Sequence, residues 1–143
     1  MFYLASDHAG FALKEKLKQV LIDYKIKFED LGTNSLEKSV DYPDFAHKLA
    51  KKISENLTQN RGIGICGTGI GISIALNRHR KIRAARCLSV EDAELTRKHN
   101  NANVLVLAGR KTTPKLARQI LRKFLEIKFE GGRHKKRVSK IEI

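Results

Sequence analysis

Ile63-Gly-Ile-Cys66-Gly67-Thr68-Gly69-Ile70-Gly71-Ile72-Ser73 is the stretch that decides how this chain folds. The apolar run Ile63–Cys66 has the length of a buried strand, because strands take about 4–8 residues and helices need more than about ten. Three glycines at alternate positions then let the backbone turn tightly and approach whatever lies beside it. The apolar residues after them predict a helix through about Asn77. A strand that feeds a glycine-rich turn and then a helix is half of a βαβ unit.

The flanking sequence repeats that alternation. Upstream, Phe2–Ala5 reads as a strand ending at Ser6-Asp7-His8, and Leu13, Leu17, Val20 and Leu21 recur at the spacing of one helix face. Lys27–Leu31 is a second, weaker strand, followed by a polar loop over Gly32–Pro43. Phe45, Ala46, Leu49, Ala50 and Ile53 make the next helical stripe. Downstream, Ile82–Cys87 is a fourth strand, and Ser89 with Asp92 three residues later has the pattern of a helix N-cap. That helix should stop near His99-Asn100-Asn101, where Asn accepts the left-handed conformation that ends helices. Asn103–Leu107 is a fifth strand, unbroken as befits one covered on both faces. Thr113-Pro114 opens a final long helix, with Pro in its first turn.

Strands separated by helix-length crossovers imply right-handed βαβ units. The expectation is one α/β domain over residues 1–143, a Rossmann-like three-layer fold with a five-stranded parallel sheet and helices on both faces. Ligands of such sheets bind outside the carboxyl ends of the strands. The residues to read for chemistry are therefore Asp7-His8, Cys66-Gly67-Thr68-Gly69, Cys87-Leu88-Ser89 and Gly109-Arg110.

Composition narrows the class. With 41% hydrophobic residues spread along 143 positions, the chain has enough apolar material for a core, which rules out wholesale disorder. Cys66 and Cys87 form no C-x-x-C or Cys/His pattern, so neither a disulfide framework nor a zinc site is expected. The N-terminus lacks the marks of a signal peptide, and Val104–Ala108, the longest clean apolar run, is far below the ~20 residues of a membrane span. A soluble, cytoplasmic protein is the expectation. The net charge of +14 is compatible with nucleic-acid binding, an anionic substrate or a solvated surface. Lys14, Lys16 and Lys18, like the bases of the other helices, read as a solvated face. The cluster Arg133-His134-Lys135-Lys136-Arg137 does not.

Cys66 is the most informative residue. The start of a helix presents unsatisfied amides and partial positive charge, which favour a thiolate and so a base or nucleophile. The plainer reading is a small buried hydrophobe, and that is the reading for Cys87. The loop Gly67–Gly71 is neither a Walker A sequence nor G-x-G-x-x-G, which argues against ATP and dinucleotides. An oxyanion or phosphate fits it better. His99, at a helix C-terminus, reads structurally when taken alone. His8 beside Asp7 is the stronger ligand candidate by position. Arg133 and Arg137 lie on one face if their segment is helical, and their planar forks suit a phosphate.

Together S-D-H-A-G, D-Y-P, C-G-T-G-I-G-I-S, R-K-H-N-N-A-N-V, A-G-R and the terminal E-G-G-R-H-x-x-R resemble the ribose-5-phosphate isomerase B family, which also contains the galactose-6-phosphate isomerase subunits. The resemblance spans the whole chain in order. It implies an aldose–ketose isomerase without metal or cofactor, in which Cys66 moves the proton between C1 and C2. It implies that Gly67, Thr68, Gly69, Ile70 and Gly71 stabilise enediolate oxygens, with Thr68 also relaying a proton, and that His99 opens the furanose ring. Asp7, His8 and Tyr42 would hold the sugar, while Asn100, Arg110, Arg133 and Arg137 make the remaining contacts, the arginines chiefly to phosphate. It further implies a homo-oligomer, dimer or tetramer, with sites at the interface and the C-terminal segment reaching a partner subunit. The competing expectations are a six-carbon sugar phosphate as substrate, and a basic nucleic-acid-binding module. Few aromatics (6%) and no nucleic-acid motif weigh against the second.

Overall fold

The computed structural model describes all 143 residues. Its strands are β1 (Phe2–Ser6), β2 (Phe28–Asp30), β3 (Arg61–Cys66), β4 (Ala84–Arg86) and β5 (Val104–Ala108). Its helices are α1 (Phe11–Asp23), α2 (Tyr42–Glu55), α3 (Ile70–Leu76), α4 (Val90–Asn100), α5 (Pro114–Glu126) and α6 (Arg133–Ser139). All pairings are parallel, in the order β2-β1-β3-β5-β4. The chain winds outward from β1 to β2, then crosses back to β3 and continues the other way. The reversal lies between β1 and β3, where open α/β sheets form their ligand crevice.

Alternation along the strands builds two cores. Phe2, Leu4, Ile63, Ile65, Leu105 and Leu107 face one side and pack with residues of α1, α4 and α5. Tyr3, Ala5, Cys66, Val104 and Val106 face the other and pack with residues of α2 and α3. Gly62 and Gly64 share that second face. A β-carbon at Gly62 would stand 2.8 Å from Leu49 Cδ1, and one at Gly64 would stand 3.0 Å from Leu76 Cδ1. Their lack of a side chain is what lets α2 and α3 lie close against β3.

The caps hold as the sequence predicts. Ser89 accepts from the Asp92 amide, and Asp92 Oδ2 accepts in return from the Leu88 amide (2.9 Å). Thr113 caps α5 ahead of Pro114, and Asn101 ends α4 at φ +48°. Most element ends lie within a residue or two of expectation, and three differences have a physical reason or a consequence. Helix α2 begins at Tyr42, because Pro43 is tolerated within a first helical turn. Strand β4 is shorter than Ile82–Cys87, since Asn103 Oδ1 takes the Arg83 amide (2.8 Å) before the ladder begins. Helix α6 follows α5 as a separate element, carrying Arg133 and Arg137 one turn apart.

One expectation is overturned. Lys14 is not on a solvated face: it is 1% exposed, with its ammonium on Asp30 and on Glu15 (3.0 Å). Burial opposes ionisation of Asp30, but hydrogen bonds from Lys14 and from the Gly32 amide outweigh it and hold the carboxyl below its ordinary value. A buried ion pair that loses one partner leaves an uncompensated charge. Asp30→Asn should therefore cost about 2–4 kcal/mol in urea unfolding at neutral pH, whereas Lys14→Met, which removes the buried charge, should cost less. Because the folded-state pKa of Asp30 is depressed, its contribution is complete above the unfolded value of about 3.9 and disappears as pH falls through the folded value. The acid limb of the stability curve should be shallower in Asp30→Asn than in the wild type.

Candidate active site

The carboxyl edge of the sheet collects most of the residues expected to act. Asp7, just past β1, is 5% exposed, and its Oδ1 accepts from the Gly10 amide at 3.0 Å to cap a short turn. His8 follows. The Val40 amide donates to His8 Nδ1 at 3.2 Å, so Nδ1 is the acceptor and Nε2 carries the hydrogen that a ligand could receive. The Gly109 amide donates to the Cys66 carbonyl (2.8 Å) and the Arg110 amide to the Gly67 carbonyl (3.0 Å), which lock the ends of β3 and β5 together.

Within the loop, Gly69 is left-handed at φ +73° and starts α3. The flanking glycines are there for proximity. A β-carbon on Gly67 would lie 2.7 Å from Arg110 Nη1, and one on Gly71 would lie 2.5 Å from Tyr42 Cζ. Arg110 and Tyr42 thus pack directly on the loop. Thr68 Oγ1 accepts from the Ile70 amide at 3.2 Å, which leaves its hydroxyl hydrogen free to donate. Cys66 is 4% exposed, at the border between this loop and the apolar cluster of α2 and α3, and lines none of the main pockets of the single chain. Arg86, at the end of β4, donates through Nε to the Thr68 carbonyl (2.7 Å). It was missed in the sequence, although the same strand-end rule points to it.

The remaining residues are elsewhere. His99 and Asn100 end α4, just before β5 begins, and so lie toward the amino edge of the sheet. There His99 stacks on His134, with ring centroids 4.2 Å apart and planes at 15°. His99, Asn100, His134, Arg137, Val138 and Ile141 line a pocket of about 350 Å³, with Arg133 opening α6 beside it. His134 is buried and its Nε2 has no hydrogen-bond partner. Burial, then the neighbouring His99 and Arg133, lower its pKa against an opposing pull from Glu130. The strand Val104–Ala108 alone separates the two edges by roughly 13 Å at about 3.3 Å per residue. Within one chain, Cys66 and His99 do not meet.

His99, Glu130 and His134 each bring one donor atom within 4.8 Å of the others. A metal must sit in the plane of each imidazole it binds, which two stacked rings do not allow without being prised apart. Arg133 and Arg137 add positive charge at the same place. The arrangement suits an anion better than a cation. No helix is long and apolar enough to cross a membrane.

Comparison with known proteins identifies the family. Residues 2–141 match the family model described as ribose/galactose isomerase. Ribose-5-phosphate isomerase B of Escherichia coli is 41% identical over 135 residues, covering 94% of this chain and 89% of that protein. The ribose 5-phosphate isomerase of Thermotoga maritima superposes with a TM-score of 0.95 at 51% identity, over 99% of this chain and 96% of that one. The Mycoplasma genitalium ribose-5-phosphate isomerase B, solved with bound ribulose-5-phosphate, gives 0.95 at 41% identity, over 98% and 92%. A match of this length, on a fold that carries the glycine loop at its switch point, leaves one conclusion: the chain belongs to the ribose/galactose isomerase family.

Proposed function

We propose that the chain is an aldose–ketose isomerase that interconverts ribose 5-phosphate and ribulose 5-phosphate through an enediolate, with Cys66 as the base. The observation that carries this reading is the near-identical fold of the Mycoplasma genitalium relative with ribulose-5-phosphate bound. The Cys66–Gly71 loop, at the switch point of the sheet, supplies a base and hydrogen-bond donors within a few residues. Proton abstraction beside a carbonyl needs both.

The steps balance without further reagents. His99 takes the proton of the anomeric hydroxyl and gives one to the ring oxygen, which opens the ring to the aldehyde. The Cys66 thiolate then takes the proton from C2, and the electron pair moves through C1 to O1. Amides of the loop stabilise that oxyanion. Thr68 relays the O2 proton to O1, and Cys66 returns its proton to C1, leaving a ketone at C2. Arg110, Arg133 and Arg137 hold the phosphate, Asp7, His8 and Tyr42 the sugar, and Asn100 lies beside His99.

Cys66 and His99 lie at opposite edges of the sheet, which supports a site completed by a second copy of the chain. Ile70 (50% exposed) and Ile74 (63%) stand one turn apart on α3, beside the Cys66 loop. Such an apolar stripe suits the approach of another subunit that brings its own His99, Asn100 and α6. The C-terminal basic segment then has both an intrachain partner in His99 and a task across the interface.

Cys66→Ala should lower kcat about 10³-fold or more while ribulose 5-phosphate still binds within about threefold of wild type by calorimetry. Loss of binding together with turnover would argue for a structural thiol. His99→Asn should lower kcat/KM for ribose 5-phosphate about a hundredfold. It should spare an aldotetrose 4-phosphate, whose phosphorylated O4 cannot close a five-membered ring. Equal loss on both substrates would remove ring opening from His99. Mixing these two variants under conditions of subunit exchange should restore about a quarter of wild-type turnover, since half of random dimers carry one intact site of two. If nothing is recovered, the site is not shared between copies.

A further inference from the structure

Arg97 is used by none of the steps above, yet it is 7% exposed and its cation is met by carbonyl and amide oxygens rather than by a carboxylate. Its Nη1 donates to the Ala102 carbonyl and to Asn101 Oδ1 (3.1 Å), and its Nε to the Ile127 carbonyl (3.3 Å). The guanidinium carbon stands 5.5 Å from the centroid of the Phe124 ring. Two of these acceptors close the end of α4. The third, with the ring, belongs to the end of α5. Burial lowers its pKa to about 10, with Arg61 and Arg83 adding to the shift, which leaves it charged at neutral pH.

What departs from those two ends is significant. The end of α4 carries His99 and Asn100. The end of α5 leads to Glu130, whose amide donates to the Lys98 carbonyl (3.1 Å), and then to α6 with Arg133 and Arg137. Between Glu130 and α6 lie Gly131 and Gly132, both at positive φ (71° and 53°) and with open space where a side chain would be. No side chain packs at that hinge, whose two carbonyls accept from the His134 (3.0 Å) and Lys135 (3.2 Å) amides of α6. The arm is held at its far side by the His99–His134 stack and by Glu142, whose Oε1 accepts from the Lys81 amide (2.6 Å), and at its root by where α5 is fixed against α4.

We infer that Arg97 is a positioning residue that bolts the end of α4 to the end of α5 and so sets the gap between the ring-opening imidazole and the phosphate-binding guanidinium groups. In a pentofuranose 5-phosphate the ring oxygen and the ester oxygen are separated by C4 and C5 alone, so the two protein groups must keep one spacing. A misplacement of about 1 Å can cost about a hundredfold in rate. Lysine cannot replace arginine here, because one ammonium does not span acceptors on two elements in fixed directions. The inference rests on the proposed ring-opening role of His99.

The test compares kcat/KM for ribose 5-phosphate with that for an acyclic aldotetrose 4-phosphate, in the full-length protein, with folding checked by circular dichroism at the assay temperature. Arg97→Lys should lower the ratio of the two about tenfold, and Asn101→Gly about threefold in the same direction. Glycine accepts the left-handed backbone at 101, so that variant deletes the Oδ1 contact and little else. A ratio unchanged in Asn101→Gly and Arg97→Lys, with both substrates losing alike or neither losing, would overturn the inference. If Arg97→Lys does not fold, the ratio in Asn101→Gly decides alone. If His99→Asn shifts the ratio and the two joint variants do not, the role of Arg97 fails by itself. If His99→Asn leaves the ratio unmoved, the ring-opening role fails, and the inference with it.

Discussion

In a parallel sheet every strand ends at the same edge, and every returning helix ends at the other. This constraint governs the whole molecule. Residues that follow β1, β3 and β5 must gather, and do: Asp7, His8, the Cys66 loop and Arg110 share one rim. Residues at the end of α4 and beyond the end of α5 gather at the opposite edge, where His99 meets His134 and Arg137. No loop adjustment within one chain can merge the two groups, because β5 lies between them. The separation is therefore a property of the topology, and the proposed isomerase site inherits from it the need for a second copy.

Charge is handled in two different ways inside this strongly basic chain. Lys14 is buried against Asp30 and Glu15, so its cost of desolvation is offset by opposite charge. Arg97 is buried without a carboxylate and relies on carbonyl dipoles at a helix C-terminus, where the macrodipole favours a cation. The first fastens α1 to the end of β2. Asp30 continues to the Gly32 amide, at the start of the loop that later offers the Val40 amide to His8. The second fastens α4 to α5 behind His99. Arg97 thus stands one step behind a residue of the proposed site, and Lys14 is linked to His8 only through Asp30 and the loop that runs from Gly32 to Val40.

The alternation of strands and helices was readable because buried parallel strands leave compact apolar runs, and the N-caps at Ser89 and Thr113 leave fixed offsets. The loop chemistry was readable for a related reason: glycine at 67, 69 and 71 is a demand for space that composition displays. What escaped was side-chain partnership across long sequence distances. Lys14 sits three residues before Leu17 and seven before Leu21, squarely in the apolar stripe, yet a lone lysine there reads as solvated until Asp30 is known to face it. Arg97 is likewise one basic residue among many in the sequence. Two of its three acceptors are backbone carbonyls, which leave no trace in residue type, and the third, Asn101 Oδ1, reads in the sequence only as a helix-ending residue. The Asn103 side chain that shortens β4 is invisible for the same reason. His99 was legible by family resemblance, and its position at the amino edge follows from strand order, which the sequence does not spell out.

Cys66 is almost wholly covered already in the single chain, while Ile70 and Ile74 beside it are open. Under the proposed reading these facts belong together. A thiolate base works best where water is excluded, because hydrogen bonds from the loop then act in a medium of low dielectric. One chain can bury the sulfur on the sheet side but cannot roof the loop, since its own α4 and α6 are at the far edge. A subunit docking on the α3 stripe would exclude water from the loop and deliver His99 and the arginines in the same movement. Assembly and catalysis then depend on one surface, and residues that stiffen the delivering arm, Arg97 foremost, act on the reaction from behind it.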